Sequence, residues 1–141
     1  MRPPSIVNFA RVVLLSLALG ILGTWLSWDK VKAIVAASGS GMTTGTILAI
    51  QGVTIALYLL LIWFIYAKGS PVAKWIYVVL SVLGLVVSLL GFRQTMAYGT
   101  LPALLAAVQL LLSIVSLWLL FRPDSKAWFS EGRGDVGETF R

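Results

Sequence analysis

The sequence contains no cysteine and no histidine. Without cysteine the chain has no disulfides and no thiol nucleophile, and without histidine it lacks the imidazole ligands of haem and of the usual zinc sites. Only 11% of the 141 residues are charged, whereas a typical soluble domain carries about 25%. These deficits exclude most metal and redox chemistry, and they argue against a water-soluble globular protein.

Acidic residues are also scarce, and none lies within an apolar segment. The five are Asp29, Asp124, Glu131, Asp135 and Glu138. Proton-coupled transporters and ion pathways usually place an ionisable group inside the membrane, and general acid–base catalysis needs a pair of titratable side chains. The sequence offers neither of these, nor a phosphate-binding glycine loop. We therefore expect a protein that is not an enzyme and that has no cofactor and no metal.

What the chain has in abundance is apolar sequence, at 59% of its residues. Four runs approach or exceed the roughly 20 residues that cross a bilayer: Val12–Trp28, Thr46–Tyr66, Trp75–Phe92 and Leu101–Phe121. The first run is longer than the apolar region of a signal peptide, so we expect no cleavage. The predicted fold is an all-α integral membrane protein, an antiparallel up-down bundle of four transmembrane helices near 10–28, 44–67, 72–92 and 101–121. Residues 1–122 form this domain and 123–141 a cytoplasmic tail.

The net charge of +6 comes from basic residues at the borders of the apolar runs. Positive residues concentrate on the cytoplasmic side of membrane proteins, which explains this charge without nucleic-acid binding. If the amino terminus is cytoplasmic, that side holds Arg2, Arg11, Lys68, Lys74, Arg122, Lys126, Arg133 and Arg141, and the other side only Lys30, Lys32 and Arg93. The pattern predicts a bacterial inner-membrane protein, with the lipid bilayer as its surroundings and both termini in the cytoplasm.

Each apolar run carries small or polar residues at alternating intervals of three and four. We call each such row a small-residue seam. The seams are Ser16, Gly20, Gly23 and Ser27 in the first run; Gly45, Ala49, Gly52 and Ala56 in the second; Ser81, Gly84, Ser88 and Gly91 in the third; and Ala106, Gln109, Ser113 and Ser116 in the fourth. This spacing keeps a row on one helix face, and small residues let membrane helices approach closely. The seams are predicted to pack the bundle.

The second run has a further polar face, formed by Gln51, Thr54 and Tyr58 on the side roughly opposite its seam. Because two faces of this helix are unsuited to contact with lipid, we expect a neighbouring helix on each of them. Either this helix is the most enclosed one, or the polar face meets a partner protein or a second copy. Alternatively, Thr54 bonds to its own backbone and Tyr58 is bulk within the membrane. Gln109 lies at a depth similar to that of Gln51, so the two can pair or line a small polar pocket.

The third run places Lys74 and Tyr77 on the same face as its seam. This arrangement directs a cation and a phenol into the cytoplasmic end of the bundle. One interpretation is a contact with a lipid headgroup or another anion. The other, which the residues favour, is a lysine whose ammonium reaches up to the membrane interface.

The tail begins at Pro123, which ends the fourth helix. The segment DSKAWF predicts a helix cap and a short helix whose Trp128 and Phe129 enter the membrane interface, and the remaining residues predict disorder. The segment LFRPDSKAWF resembles the exit of the last helix in small four-span bacterial membrane proteins of unassigned function. That resemblance implies the four-span architecture and no activity.

Two functions remain open from the sequence. The first is an accessory or interaction subunit that binds a larger membrane protein, or itself, through the polar face of the second helix. The second is a small carrier or binder of a lipid-like or apolar molecule. Its site would be framed by Gln51, Tyr58, Tyr77 and Gln109, with Lys74 at the inner mouth.

Overall fold

The structure is a computed structural model that describes residues 2–97 and 99–139, with side chains as far as residue 131. These residues form six α-helices and no strand: α1 Pro4–Leu26, α2 Trp28–Ala37, α3 Thr44–Lys68, α4 Pro71–Ala97, α5 Thr100–Leu120 and α6 Pro123–Thr139. The four long helices α1, α3, α4 and α5 are long and apolar enough to cross a membrane. They confirm the all-helical prediction and indicate a multi-pass membrane protein in a lipid bilayer. The predicted cytoplasmic positions of Arg141 and of the Arg133 side chain lie outside the described residues. So does Tyr98, whose aromatic ring is predicted to lie at the outer membrane interface.

Local sequence explains where most helices begin and end. Pro4 stands at the first position of α1, where a missing N–H costs nothing, so the helix begins six residues before the predicted boundary. The Thr43 hydroxyl accepts a hydrogen bond from the Thr46 N–H at 3.2 Å and caps α3. Gly69, with φ 58°, ends α3 in the left-handed conformation that favours glycine. No proline or glycine interrupts 92–97, and α4 runs five residues beyond its predicted end.

The hydrophobic core lies at one end of the molecule, which we call the closed end. It is where α1 and α4 begin and where α3 and α5 end. Its buried apolar side chains are Ile6, Phe9, Ala10, Val13, Leu61, Ile62, Ile65, Ala73, Tyr77, Leu119, Leu120 and Phe129. At the opposite, open end, the long helices expose most of their side chains. Close packing is therefore confined to about half of the bundle, and the other half leaves space between the helices.

The tail packs on the protein, which corrects the prediction that its aromatic residues enter the membrane interface. Phe129 is buried in the core, and Trp128 Nε1 donates a hydrogen bond to the Ile65 carbonyl at 2.9 Å. The buried Ser125 hydroxyl donates to the Leu119 carbonyl at 2.7 Å. These bonds add a second donor to carbonyls at the ends of α3 and α5 that already accept from the Gly69 and Arg122 N–H groups, and α6 thereby covers the closed end. The helix continues to Thr139 through residues predicted to be disordered, because no proline stops it after Pro123.

Candidate functional site

A cavity of about 660 Å³ lies between the four long helices, and we call it the central cavity. Its lining is largely apolar, and every polar side chain in it is uncharged. The polar members are Ser16, Thr24, Gln51, Thr54, Tyr58, Tyr77, Ser81, Ser88, Thr95, Gln109 and Ser113. The structure thus brings five of the six predicted site residues, Gln51, Thr54, Tyr58, Tyr77 and Gln109, around one space. A largely apolar cavity with a few polar groups is the usual form of a small-molecule site.

Aromatic rings separate the central cavity from the closed end. The Tyr77 ring meets Phe9 edge-on at 5.0 Å and Tyr58 edge-on at 5.8 Å between centroids. The Tyr77 hydroxyl lies 2.8 Å from the Ser116 hydroxyl, which itself donates to the Ser113 carbonyl at 2.7 Å. Because the Ser116 proton is engaged, Tyr77 is the donor of the pair. The Tyr77 side chain therefore forms the floor of the cavity, where two rings and the hydrogen bond to Ser116 hold it in place.

The two glutamines do not pair with each other, although both line the cavity. Gln51 Nε2 on α3 donates to the Thr24 hydroxyl on α1 at 3.1 Å. Gln109 Nε2 on α5 donates to the Ser16 carbonyl, also on α1, at 3.0 Å. Each bond uses one N–H of an amide that has two, together with an acceptor oxygen. The glutamines thus tie their helices to α1 and keep further hydrogen-bonding capacity beside the cavity.

The small-residue seam of α1 packs against α5, as predicted. A Cβ atom at Gly20 would lie 2.9 Å from Gln109 Nε2, so glycine is what allows this amide to reach the Ser16 carbonyl. A Cβ atom at Gly23 would meet Leu105 at an ordinary 3.8 Å. Gly20 therefore leaves room for the hydrogen bond from Gln109 to Ser16. At Gly23 the two helices approach closely, but an alanine would also fit there.

The seam of α4 has a different role from the predicted one. Ser81, Gly84, Ser88 and Gly91 all line the central cavity, and a Cβ atom at Gly84 or Gly91 would have no neighbour within 4 Å. A small side chain permits close packing, but where the neighbouring helix stays away it leaves room instead. This seam creates space for the cavity rather than contact between helices.

The seam of α3 also departs from the prediction. Gly45, Ala49, Gly52 and Ala56 are all exposed on the outside of the molecule. The opposite face, with Gln51 and Tyr58, turns inward because it finds hydrogen-bonding and aromatic partners there. The predicted packing seam is therefore exposed. Of the polar face, Gln51 and Tyr58 are partly enclosed, whereas Thr54 is exposed and its hydroxyl donates to the Ile50 carbonyl of its own helix at 2.8 Å, which confirms the alternative prediction for this residue.

Lys74 is the predicted site residue that does not line the cavity. It lies beyond the Tyr77 floor, where its side chain is buried and only 8% of the residue is exposed. Its ammonium lies 4.6 Å from the centroid of the Phe121 ring and 4.9 Å from that of Phe129. Ring faces attract a cation, and this attraction holds the group inside the protein. Both predictions for Lys74 are therefore wrong: it lies neither at the mouth of the cavity nor with its side chain extended to the membrane interface.

A second depression runs along the outside of the bundle between α1 and α3 at the open end, with a volume of about 680 Å³. We call it the α1–α3 groove. Its lining residues are Ile21, Thr24, Trp25, Trp28, Leu48, Gln51, Gly52 and Ile55. Ile21, Thr24, Gln51 and Ile55 also line the central cavity, so the two spaces adjoin. Thr24 and Thr95 are polar lining residues that could not be singled out from the sequence, because a lone threonine in an apolar run usually bonds to its own helix, as both of these do.

The molecule is thus a multi-pass membrane protein whose long helices enclose a largely apolar cavity with uncharged polar groups. No known protein family, no curated protein and no solved structure is significantly similar to the chain.

Proposed function

We propose that this protein is a non-enzymatic binder or carrier of a lipid-like molecule whose uncharged polar group occupies the central cavity. The observation that carries the proposal is the convergence of Gln51, Tyr58, Tyr77 and Gln109 on one cavity of about 660 Å³. The hydroxyl and amide groups of this lining suit a hydroxyl, carbonyl or amide on the ligand. A charged headgroup would find no counter-charge among the lining residues.

The proposal includes the architecture predicted from the sequence. The helices form an antiparallel up-down bundle in a bacterial inner membrane, with both termini in the cytoplasm. The closed end then faces the cytoplasm, and the central cavity lies in the opposite half of the membrane. The asymmetry of the basic residues supports this orientation.

Native mass spectrometry of protein extracted from membranes tests the proposal. We expect a retained small molecule on the wild type and its loss in Gly84→Leu. Gly84 lines the cavity and a Cβ atom there meets nothing within 4 Å, so we expect a leucine side chain to occupy cavity space. The matched control is Val87→Leu on the same helix, because Val87 is 68% exposed and does not line the cavity. A bound mass that survives Gly84→Leu, or a wild type with none, contradicts the proposal.

The exposed seam of α3 favours a second candidate function, an accessory subunit that binds a membrane-protein partner or a second copy. Small residues on an outward face allow another helix to approach closely. Ala49→Leu with Ala56→Leu would block such an approach while leaving the cavity lining unchanged. Crosslinking in native membranes should then lose its product, whereas Val87→Leu, at an exposed position on α4, should retain it. A wild type that crosslinks to nothing rules this candidate out.

A further inference from the structure

We infer that the α1–α3 groove holds the hydrocarbon chain of the same ligand whose polar group occupies the central cavity. The ligand class is therefore a single-chain amphiphile with an uncharged headgroup. This inference rests on the proposed function and adds a second, separate part to the site.

The first argument is continuity. Thr24 and Gln51 stand at the boundary between the groove and the cavity and line both spaces. Their side chains are joined by the 3.1 Å bond from Gln51 Nε2 to Thr24 Oγ1, and Thr24 Oγ1 in turn donates to the Gly20 carbonyl at 3.0 Å. A molecule that extends from one space into the other passes this hydrogen-bonded pair. Its polar group can bond to the Gln51 amide on the cavity side.

The second argument is the difference between the two linings. Apart from Thr24 and Gln51, the groove is lined by aliphatic side chains, a glycine and two tryptophans. The cavity, in contrast, has polar groups on all four long helices. An amphiphile has the same division, because its chain gains from apolar contact and its headgroup needs hydrogen bonds. The division of the site therefore matches the division of the ligand.

The third argument is the position of Gly52. It lines the groove, and a Cβ atom there would have no neighbour within 4 Å. Gly52 thus leaves the floor of the groove open beside the Trp25 and Trp28 rings. This one groove adjoins the cavity at Thr24 and Gln51, which provides for one hydrocarbon chain beside the headgroup.

Equilibrium binding of two alcohols, hexadecanol and octanol, to the detergent-solubilised full chain tests the inference. In Gly52→Leu we expect hexadecanol to bind about tenfold more weakly, because the leucine side chain occupies the groove and a chain forced past it meets an overpacked site. Octanol, whose shorter chain fills less of the groove, should be weakened less than hexadecanol. Gly84→Leu should weaken both alcohols. Val53→Leu, at a neighbouring position that is 70% exposed and lines neither space, is the control.

The outcomes separate this inference from the proposed function. If Gly84→Leu abolishes binding of both alcohols while Gly52→Leu weakens neither, or weakens both equally, the chain does not lie in the groove and the cavity site stands. If Gly84→Leu has no effect, or the wild type binds neither alcohol, the cavity site fails and this inference fails with it.

Discussion

At the residue scale, the polar side chains of this apolar protein mostly serve the ends of helices or the space between them. Asp124 is an example at the closed end. Its carboxylate accepts a hydrogen bond from the Ser5 N–H at 3.2 Å, which satisfies a free donor in the first turn of α1. Hydrogen bonds from Ser5, with a smaller contribution from the Arg122 charge, hold the pKa of the Asp124 carboxyl below its ordinary value.

This lowered pKa predicts a pH dependence of stability. The folded state favours the charged carboxylate, so its stabilisation is complete above the ordinary carboxyl pKa, about 4. The stabilisation is lost as the pH falls through the lowered folded value. Thermal unfolding in detergent should therefore show Asp124→Asn to be less stable than the wild type at neutral pH and equal to it in strong acid. Glu131→Gln, at an exposed position, controls for the change in net charge. A difference that persists unchanged in acid contradicts the prediction.

At the element scale, α6 docks against the turn between α3 and α4. The close contact is at Gly69, where a Cβ atom would lie 2.9 Å from the Trp128 carbonyl oxygen and 3.2 Å from its Nε1. This is a contact with backbone, which cannot move aside as the end of a flexible side chain can. The turn can therefore hold the last helix only because residue 69 has no side chain.

Two glycine-to-alanine variants separate this contact from backbone strain. Gly39 and Gly69 have nearly equal positive φ values, 62° and 58°, and alanine costs roughly 1–2 kcal/mol in that conformation. Nothing lies within 4 Å of a Cβ atom at Gly39. Gly39→Ala should therefore show the strain alone, while Gly69→Ala should be further destabilised and its α6 cleaved faster by protease. Equal unfolding temperatures for the two variants would exclude a specific role for the contact.

The elements themselves follow largely from the sequence. Apolar length locates the four long helices, although α1 begins six residues before its predicted start and α4 ends five residues after its predicted end. The direction of each helix face does not follow in the same way. Periodicity groups Gln51 with Tyr58 and Gly45 with Gly52, but it does not state which group turns inward. That choice depends on partners far along the chain, such as Thr24 for Gln51.

The same limit applies to the candidate site. Five predicted residues do line the cavity, because polar groups within an apolar helix avoid lipid. The seam of α4 was assigned to packing because small residues serve contact and empty space equally well, and only the positions of the neighbouring helices decide between them. The burial of Lys74 does not follow from the sequence. Two of the three rings around its ammonium, Phe121 and Phe129, lie about 50 residues further along the chain, and only Trp75 is its neighbour.

At the scale of the whole molecule, the proposed orientation can be measured directly, because the chain has no cysteine of its own. Single cysteines at Ser38, in the turn after α2, and at Ser130, on α6, are both exposed. In intact spheroplasts a membrane-impermeant maleimide should label Ser38→Cys at once. It should label Ser130→Cys only after the membrane is permeabilised. The opposite pattern would mean that the molecule is inserted the other way round. Labelling of both sites in intact spheroplasts would contradict the three spans, α3, α4 and α5, between them.

The bond between Asp124 and Ser5 joins residues 119 positions apart. Chains are synthesised from the amino terminus, so α1 leaves the ribosome long before Asp124 exists. Until then the Ser5 N–H lacks this acceptor, and the Ile65 and Leu119 carbonyls lack Trp128 and Ser125. The arrival of α6 therefore completes the ends of three earlier helices in one step. The closed end cannot be complete before all four long helices have been made.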